Sequence, residues 1–257
     1  MQSTVRIGTS GYSFEDWRGP FYPANIDKGK MLDHYARFFE TVEINSTYYR
    51  IPHPVVMVNM LKKVPAGFDF MVKVPQSYTH QRTNLEQDQR QFTEAIRPLA
   101  ESGRLSGLLA QFPYSFRFGQ NELDYVSICR EAVAPERLYV EFRHHSWVNR
   151  PMYDRLKSEG IGYVCVDEPP LPGLLKPDLF ATTDTAYIRL HGRNSEKWWE
   201  GGSLRYDYLY SDEELSVWRD KVRKIMAKVK TAYVFFNNCH LGQAVTNATR
   251  FAELIKS

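Results

Sequence analysis

The sequence predicts an α/β protein folded as one TIM-type (β/α)8 barrel, a single domain over residues 1–257. Three observations lead there. Seven short apolar runs keep every second residue oily while the other register ends in a polar or charged group, as in Val42-Glu43-Ile44-Asn45 and Val140-Glu141-Phe142-Arg143. Period two puts alternate side chains on opposite faces, which marks a strand. With one further strand at the start of the chain, these runs alternate with segments of helical spacing, a pattern that favours parallel pairing through right-handed crossovers. The length of 257 residues also suits one barrel of about 250. An open doubly wound sheet is the competing reading, but it leaves a count of eight strands unexplained.

In chain order, Val5 to Thr9 reads as the first strand and ends in Ser10-Gly11-Tyr12. A loop from Phe14 to Asp27, rich in Gly, Pro and aromatics, leads to helical spacing over 31–39. The strand at 41–45 precedes a helix near 54–63, and that at 68–74 precedes one near 85–101. Strand 105–112 leads to a helix near 121–133. Strand 137–143 leads to one near 150–159, with Ser146 as its expected cap. Strand 161–167 runs into a Pro-rich connection, Pro169-Pro170-Leu171-Pro172. Strand 186–191 crosses a polar loop to a helix near 212–229, and strand 231–237 leads to the last helix, 242–256. No low-complexity linker or charge block divides the chain.

Composition narrows the class. With 43% hydrophobic and 25% charged residues there is material for one large core, and a net charge of +3 is small for a dedicated nucleic-acid binder. No apolar stretch approaches the ~20 residues of a membrane span, and Met1-Gln2-Ser3-Thr4 runs straight into a strand, so neither membrane insertion nor a signal peptide is expected. Three isolated cysteines, Cys129, Cys165 and Cys239, fit a reduced cytoplasmic setting. The oligomeric state stays open.

The register opposite the helices should point to the barrel axis. It holds Thr9, Glu43, Asn45, Lys73, Gln111, Glu141, Arg143, Asp167, Arg189, His191 and Asn237, where barrel interiors usually carry branched apolar side chains. One reading is an ion-pair lattice in which Lys73, Arg143 and Arg189 neutralise Glu43 and Glu141, because buried charges do not persist unpaired. The other is a working site that uses part of that network. The charges fall at the mouth ends of the strands, which favours the second reading and places Arg189 and His191 at a solvated mouth. Glu43, Glu141 and His191 are then the candidates for proton transfer. Lys73, Arg143, Arg189 and His191 would hold phosphate, carboxylate or sulfate. Tyr48, His80, His144, Trp147 and Arg193, on the loops beyond, complete the expected substrate-binding set. Gly192 should let the backbone approach a ligand.

The loop 193–211 holds Trp198, Trp199, Arg205, Tyr206, Tyr208 and Tyr210. It would either stack bases or sugar rings above the mouth or pack as a lid. The basic run from Arg219 to Lys230 reads as the solvated face of a helix. Neither a cofactor nor a metal is expected: His80, His144, His191, Glu43, Glu141 and Asp167 show no metal-type spacing, and nearby cations compete. Glycoside chemistry through Glu43 and Glu141 and a Schiff base at Lys73 are minor alternatives.

Several ordered motifs together resemble the YecE-like family, domain of unknown function 72. They are Gly8-Thr9-Ser10-Gly11-Tyr12, Trp17 to Pro23, Val42 to Tyr49, Lys73 with Thr79-His80, and Gln111-Phe112-Pro113. Glu141-Phe142-Arg143-His144 with Ser146-Trp147, Ile188 to Arg193, Phe236-Asn237-Asn238 and Asn247-Ala248 continue the series. Tyr12 stands where the family commonly has Trp, which keeps an aromatic. The resemblance implies a TIM-type barrel and brings no settled activity. Taken together, the sequence points to an enzyme, a hydrolase or isomerase, acting by acid/base chemistry on an anionic substrate that is phosphorylated or nucleic-acid-derived. The alternative is a non-catalytic nucleic-acid-binding module built on the loop 193–211.

Overall fold

The computed structural model describes residues 3–83 and 85–256. Eight parallel strands form one sheet: β1 (Thr4–Thr9), β2 (Thr41–Ile44), β3 (Asp69–Lys73), β4 (Leu105–Gln111), β5 (Leu138–Glu141), β6 (Gly162–Asp167), β7 (Thr185–Leu190) and β8 (Thr231–Phe236). Their order, β1-β8-β7-β6-β5-β4-β3-β2, follows the chain around a ring. The ends of the sheet, β1 and β2, meet at a single parallel bridge between Ser10 and Glu43. Gly8 permits that approach, since a Cβ there would lie 2.4 Å from the Thr41 carbonyl oxygen. The sheet is therefore nearly closed into a TIM-type barrel.

The flanking helices are α1 (Met31–Tyr35), α2 (Pro54–Leu61), α3 (Leu85–Glu101), α4 (Gln120–Ala132), α5 (Arg150–Ser158), α6 (Asp212–Ile225) and α7 (Gln243–Lys256). The connection from β6 to β7 has no helix; Pro169, Pro170, Pro172 and Pro177 lack the amide donors a helix needs. Helix α5 is capped by Asn149, whose Oδ1 accepts from the Met152 amide at 2.9 Å. Ser146, the expected cap, instead accepts from the Phe118 amide at 2.9 Å, because the helix begins three residues later than that role requires. Ser211 and Glu214 form a capping box at the start of α6. That helix buries Leu215, Trp218, Val222 and Ile225 and leaves Arg223 and Lys224 in solvent, as its basic face led us to expect.

Large rings fill the middle of the barrel. Tyr139 and Tyr187 lie 5.3 Å apart by centroid, and Tyr187 and Phe235 5.4 Å. Tyr139 fits because β6 begins with a glycine: a Cβ on Gly162 would stand 2.2 Å from its ring. Below this layer the Tyr233 hydroxyl bonds Asp69 at 2.8 Å. Polar side chains occupy the layer above, towards the carboxyl ends of the strands. No helix among the described residues is long and apolar enough to cross a membrane.

The seam between β1 and β2 rests on the missing side chain at position 8. Gly8→Ala should cost about 1–3 kcal/mol by overpacking, seen as a lower urea midpoint. A change within about 0.5 kcal/mol, ordinary for a surface site, would show that closure does not depend on Gly8.

Candidate active site

Strands β2, β5 and β7 bring Glu43, Glu141 and Arg189 together on the axis, with both carboxylates fully buried and Arg189 1% exposed. Arg189 donates from Nη2 and Nε to the two oxygens of Glu43 at 2.7 and 2.9 Å, and from Nη1 to Glu141 Oε2 at 2.6 Å. The guanidinium fork matches a carboxylate in two parallel bonds. The Tyr187 hydroxyl and Asn45 Nδ2, the latter at 2.9 Å, also donate to Glu43. Burial alone would raise the Glu141 carboxyl, but Arg143 and Arg189 hold it well below its ordinary range. Arg189 and His191 do not line a solvated mouth, contrary to the sequence reading; both are enclosed, because the ion pairs lie one layer beneath it.

The second oxygen of Glu141 is different. Arg143 Nε approaches Oε1 to 2.7 Å and His191 Nε2 to 3.3 Å, yet none of these three buried atoms has a partner in hydrogen-bond geometry. Asn237 Nδ2, in this amide orientation, donates to His191 Nδ1 at 2.8 Å and so leaves the ring proton on Nε2, facing Glu141. Burial, then the charge of Arg143, brings the His191 pKa down to about 3 against the pull of Glu141, so the ring is neutral. Unpaired buried polar atoms cost about 1–3 kcal/mol each. Here the three atoms face one another at ion-pair distance but out of alignment, so the charges are paired while their hydrogen-bonding capacity is not fully used.

Arg143 rises from this point to the mouth. Its Nη1 donates to Glu168 Oε2 at 3.2 Å, and its guanidinium stands 5.7 Å from the Trp198 ring centre. Across the barrel, Lys73 Nζ donates to Gln111 Oε1 at 2.8 Å and lies 4.4 Å from the Tyr48 ring centre. Burial, then the charge of Arg189, lowers the Lys73 pKa to about 7. Burial raises Glu168 to about 7 despite Arg143. A cavity of about 230 Å³ opens here, lined by His80, Gln111, Tyr114, Arg143, Trp198 and Arg205. The loop 193–211 closes over it: Trp198 is 2% exposed and accepts the Arg205 Nε–H on its carbonyl at 2.7 Å. Tyr210 is buried as well, while Trp199 is exposed against Tyr114. The loop is therefore a packed lid.

Four expected residues do not reach the mouth. Thr9 faces α1, its Oγ1 bonded to the Tyr35 hydroxyl at 3.0 Å, and Ser10 takes the axial position 3.4 Å from Arg189 Nη2. Asp167 faces α6, accepting from Trp218 Nε1 at 2.7 Å. Arg193 is drawn there too, bonding Asp167 at 2.9 and 2.8 Å and Glu214 at 2.7 Å. Trp147 is fully buried, stacked on Phe142 at 3.9 Å. The register of β6 explains the first carboxylate: counted in twos from Gly162 under the Tyr139 ring, the inward set ends on Glu168. His144 sits behind Tyr114, its Nδ1 accepting from the Ser146 amide at 3.2 Å. Gly192 meets Tyr208, and its amide donates to the Tyr210 hydroxyl at 2.8 Å, so its approach is to the lid and not to a ligand.

Tyr187, Glu168, Ser10 and Tyr114 were not among the site residues expected from the sequence. Tyr187 was findable, two residues before Arg189 on one strand; Tyr114 carried no signal. A larger cavity, about 800 Å³, lies outside β6 where a crossover helix is missing, among Tyr163, Leu171, Leu175 and Phe180. We place the candidate site at the mouth instead, because the buried charged cluster of Glu141, Arg143 and His191 is there. Among the described residues no three His, Cys, Asp or Glu side chains gather as a metal would require.

Comparison with known proteins agrees with this architecture. The family model described as "Protein of unknown function DUF72" matches residues 6–257. The UPF0759 protein YunF of Bacillus subtilis is 29% identical, with 98% of this chain and 94% of that protein aligned. A crystal structure of a DUF72 family protein from Thermotoga maritima shares 45% identity at a TM-score of 0.92, covering 99% of this chain and 100% of that one. One from Enterococcus faecalis shares 26% at a TM-score of 0.88, covering 99% and 96%.

The Arg189 lattice makes a sharp stability prediction. Arg189→Met strands two buried carboxylates and should cost about 3–5 kcal/mol in denaturant unfolding. Lys73→Met removes one part-exposed hydrogen bond and should cost no more than about 1.5 kcal/mol. Equal losses for the two variants would refute the division between lattice and mouth.

Proposed function

The chain belongs to the DUF72 family, and from that premise we propose that its barrel mouth is an active site for a small anionic substrate. The observation that carries this reading is the buried cluster of Glu141, Arg143 and His191, close-packed but out of hydrogen-bond alignment, beneath a cavity walled by Arg143 and Arg205. Lys73 and Arg143 hold the anion, with His80 and Gln111 at its sides. Glu141 Oε1 is the group that accepts a proton, and the neutral His191 ring offers its Nε2–H as a hydrogen-bond donor that polarises the substrate. Glu43, with both oxygens bonded, anchors Arg189 and takes no part in transfer.

Binding and proton transfer are linked through charge. Arg143 is the strongest of the charges that hold the Glu141 carboxyl down. An anion that neutralises Arg143 releases that hold, so Glu141 becomes a better base when substrate arrives. Trp198, which lines the cavity, lies 6.4 Å from the His191 ring by centroid. Hydrolysis or isomerisation of a phosphorylated or nucleotide-like compound suits such a site. The nucleic-acid module loses ground, since Trp198 and Tyr210, two of the rings it would use, are buried in the lid. The three cysteines are free and buried, in keeping with a cytoplasmic setting.

Two groups near pH 7 set the expected pH dependence. As pH rises through about 7, Lys73 loses its positive charge and Glu168 gains a negative one. Both changes disfavour an anion. Inorganic phosphate should bind of order tenfold more tightly at pH 6 than at pH 8, measured by calorimetry, and Lys73→Met should weaken binding and flatten that profile. No heat of binding and no thermal protection by phosphate at either pH would end the anion-site reading.

A further inference from the structure

Beside the mouth, between β2 and the start of α3, lies a second open groove of about 670 Å³ that the proton-transfer site does not use. Its walls include Tyr48, Tyr49, Gln76, Gln81, Gln91 and Asp88. We propose that this groove holds a sugar ring of the substrate whose anionic group sits in the mouth; the proposal rests on the anion-site reading above.

Three observations converge on it. The groove and the mouth share a wall. Lys73 touches Tyr48 on one side and Gln111 on the other, and the Tyr48 ring lies 5.2 Å by centroid from His80, which lines the mouth cavity. A ligand anchored at Lys73 therefore needs to cross one ring to enter the groove.

The backbone between the two is unusual. Residues Ser77–Gln81 form a π-helical turn, followed by Arg82 at φ 54°, a left-handed conformation seldom taken by a non-glycine residue. Such turns and such strain gather at functional sites. Here the turn sends successive side chains to different places, His80 to the mouth and Gln81 to the groove.

The chemistry of the groove selects the ligand. Among the described residues, the side chains of Tyr48, Tyr49, Gln76, Gln81 and Gln91 make no hydrogen bond within the chain. Amides and phenols both donate and accept, which matches hydroxyl groups. An apolar ligand would leave them unpaired. The groove carries charges of both signs, Asp88 and Glu94 against Arg50, with Glu94 already paired to Arg97 at 2.7 Å, so no single charge dominates the choice of ligand. Tyr49, 78% exposed, offers a ring face for the C–H side of a sugar.

The test compares inorganic phosphate with ribose 5-phosphate and glucose 6-phosphate, by calorimetry at pH 6. Wild type is compared with the double variant Gln81→Ala/Gln91→Ala, whose positions are solvent-exposed and tolerate truncation. At least one sugar phosphate should bind about tenfold more tightly than phosphate. The double variant should lose that gain while binding phosphate as wild type does. If neither sugar improves on phosphate, or the variant keeps the gain, the groove is not a sugar subsite while the anion site stands. If phosphate itself does not bind, the anion site fails and this proposal with it.

Discussion

A guanidinium on the barrel axis is the constraint from which the rest of the architecture proceeds. Strand β2 is hydrogen-bonded along its length only to β3 and meets β1 at one bridge, so its outer edge is weakly tied. Arg189 reaches across from β7 and grips Glu43 with two bonds and Glu141 with a third. Three strands that are not neighbours in the sheet are thereby fixed to one another. Buried charges tolerate no slip: moving β2 by one residue would turn Glu43 outward and leave Arg189 without its partner. The lattice thus specifies register as well as closure.

The same lattice decides which groups keep unused bonding capacity. Glu43 is fully engaged and cannot change its bonding without loosening the barrel. Glu141 has one oxygen bound to Arg189 and one facing Arg143 and His191 unbonded. A single carboxylate therefore joins the rigid interior to the mouth. Asn237 extends this order outward by setting the tautomer of His191, and Glu168 does so by holding the far side of Arg143. Burial of Arg143, Glu168 and His191 then strengthens the charge interactions among them.

Much of this was legible in the sequence. Helix α3 spans the residues that its spacing marked, and the strands fall within two residues of the alternating runs. The axial positions of Glu43, Glu141, Arg143, Arg189 and His191 follow from period two once the mouth end is known. The errors have two physical sources. Parity failed at β1 and β6, where Gly8 and Gly162 are the inward residues and a missing side chain carries no hydropathy signal. Saturation was also invisible, because whether Arg189 is free or fully bonded depends on how three distant strands converge. The lid was an even choice for the sequence, since buried and exposed tyrosines look alike until the loop is folded.

The helix-free connection after β6 shapes the field above the barrel. In a βα unit the helix that follows each strand turns its amino end, with a partial positive charge, towards the mouth. After β6 no helix does so, and the buried carboxyl of Glu168 stands in that sector instead. The potential over the mouth is therefore lopsided, least favourable to an anion at β6 and most favourable across the barrel at β3 and β4, where Lys73 and Gln111 stand. An anion of the kind proposed above would be steered to that far wall before it met Glu141 or His191.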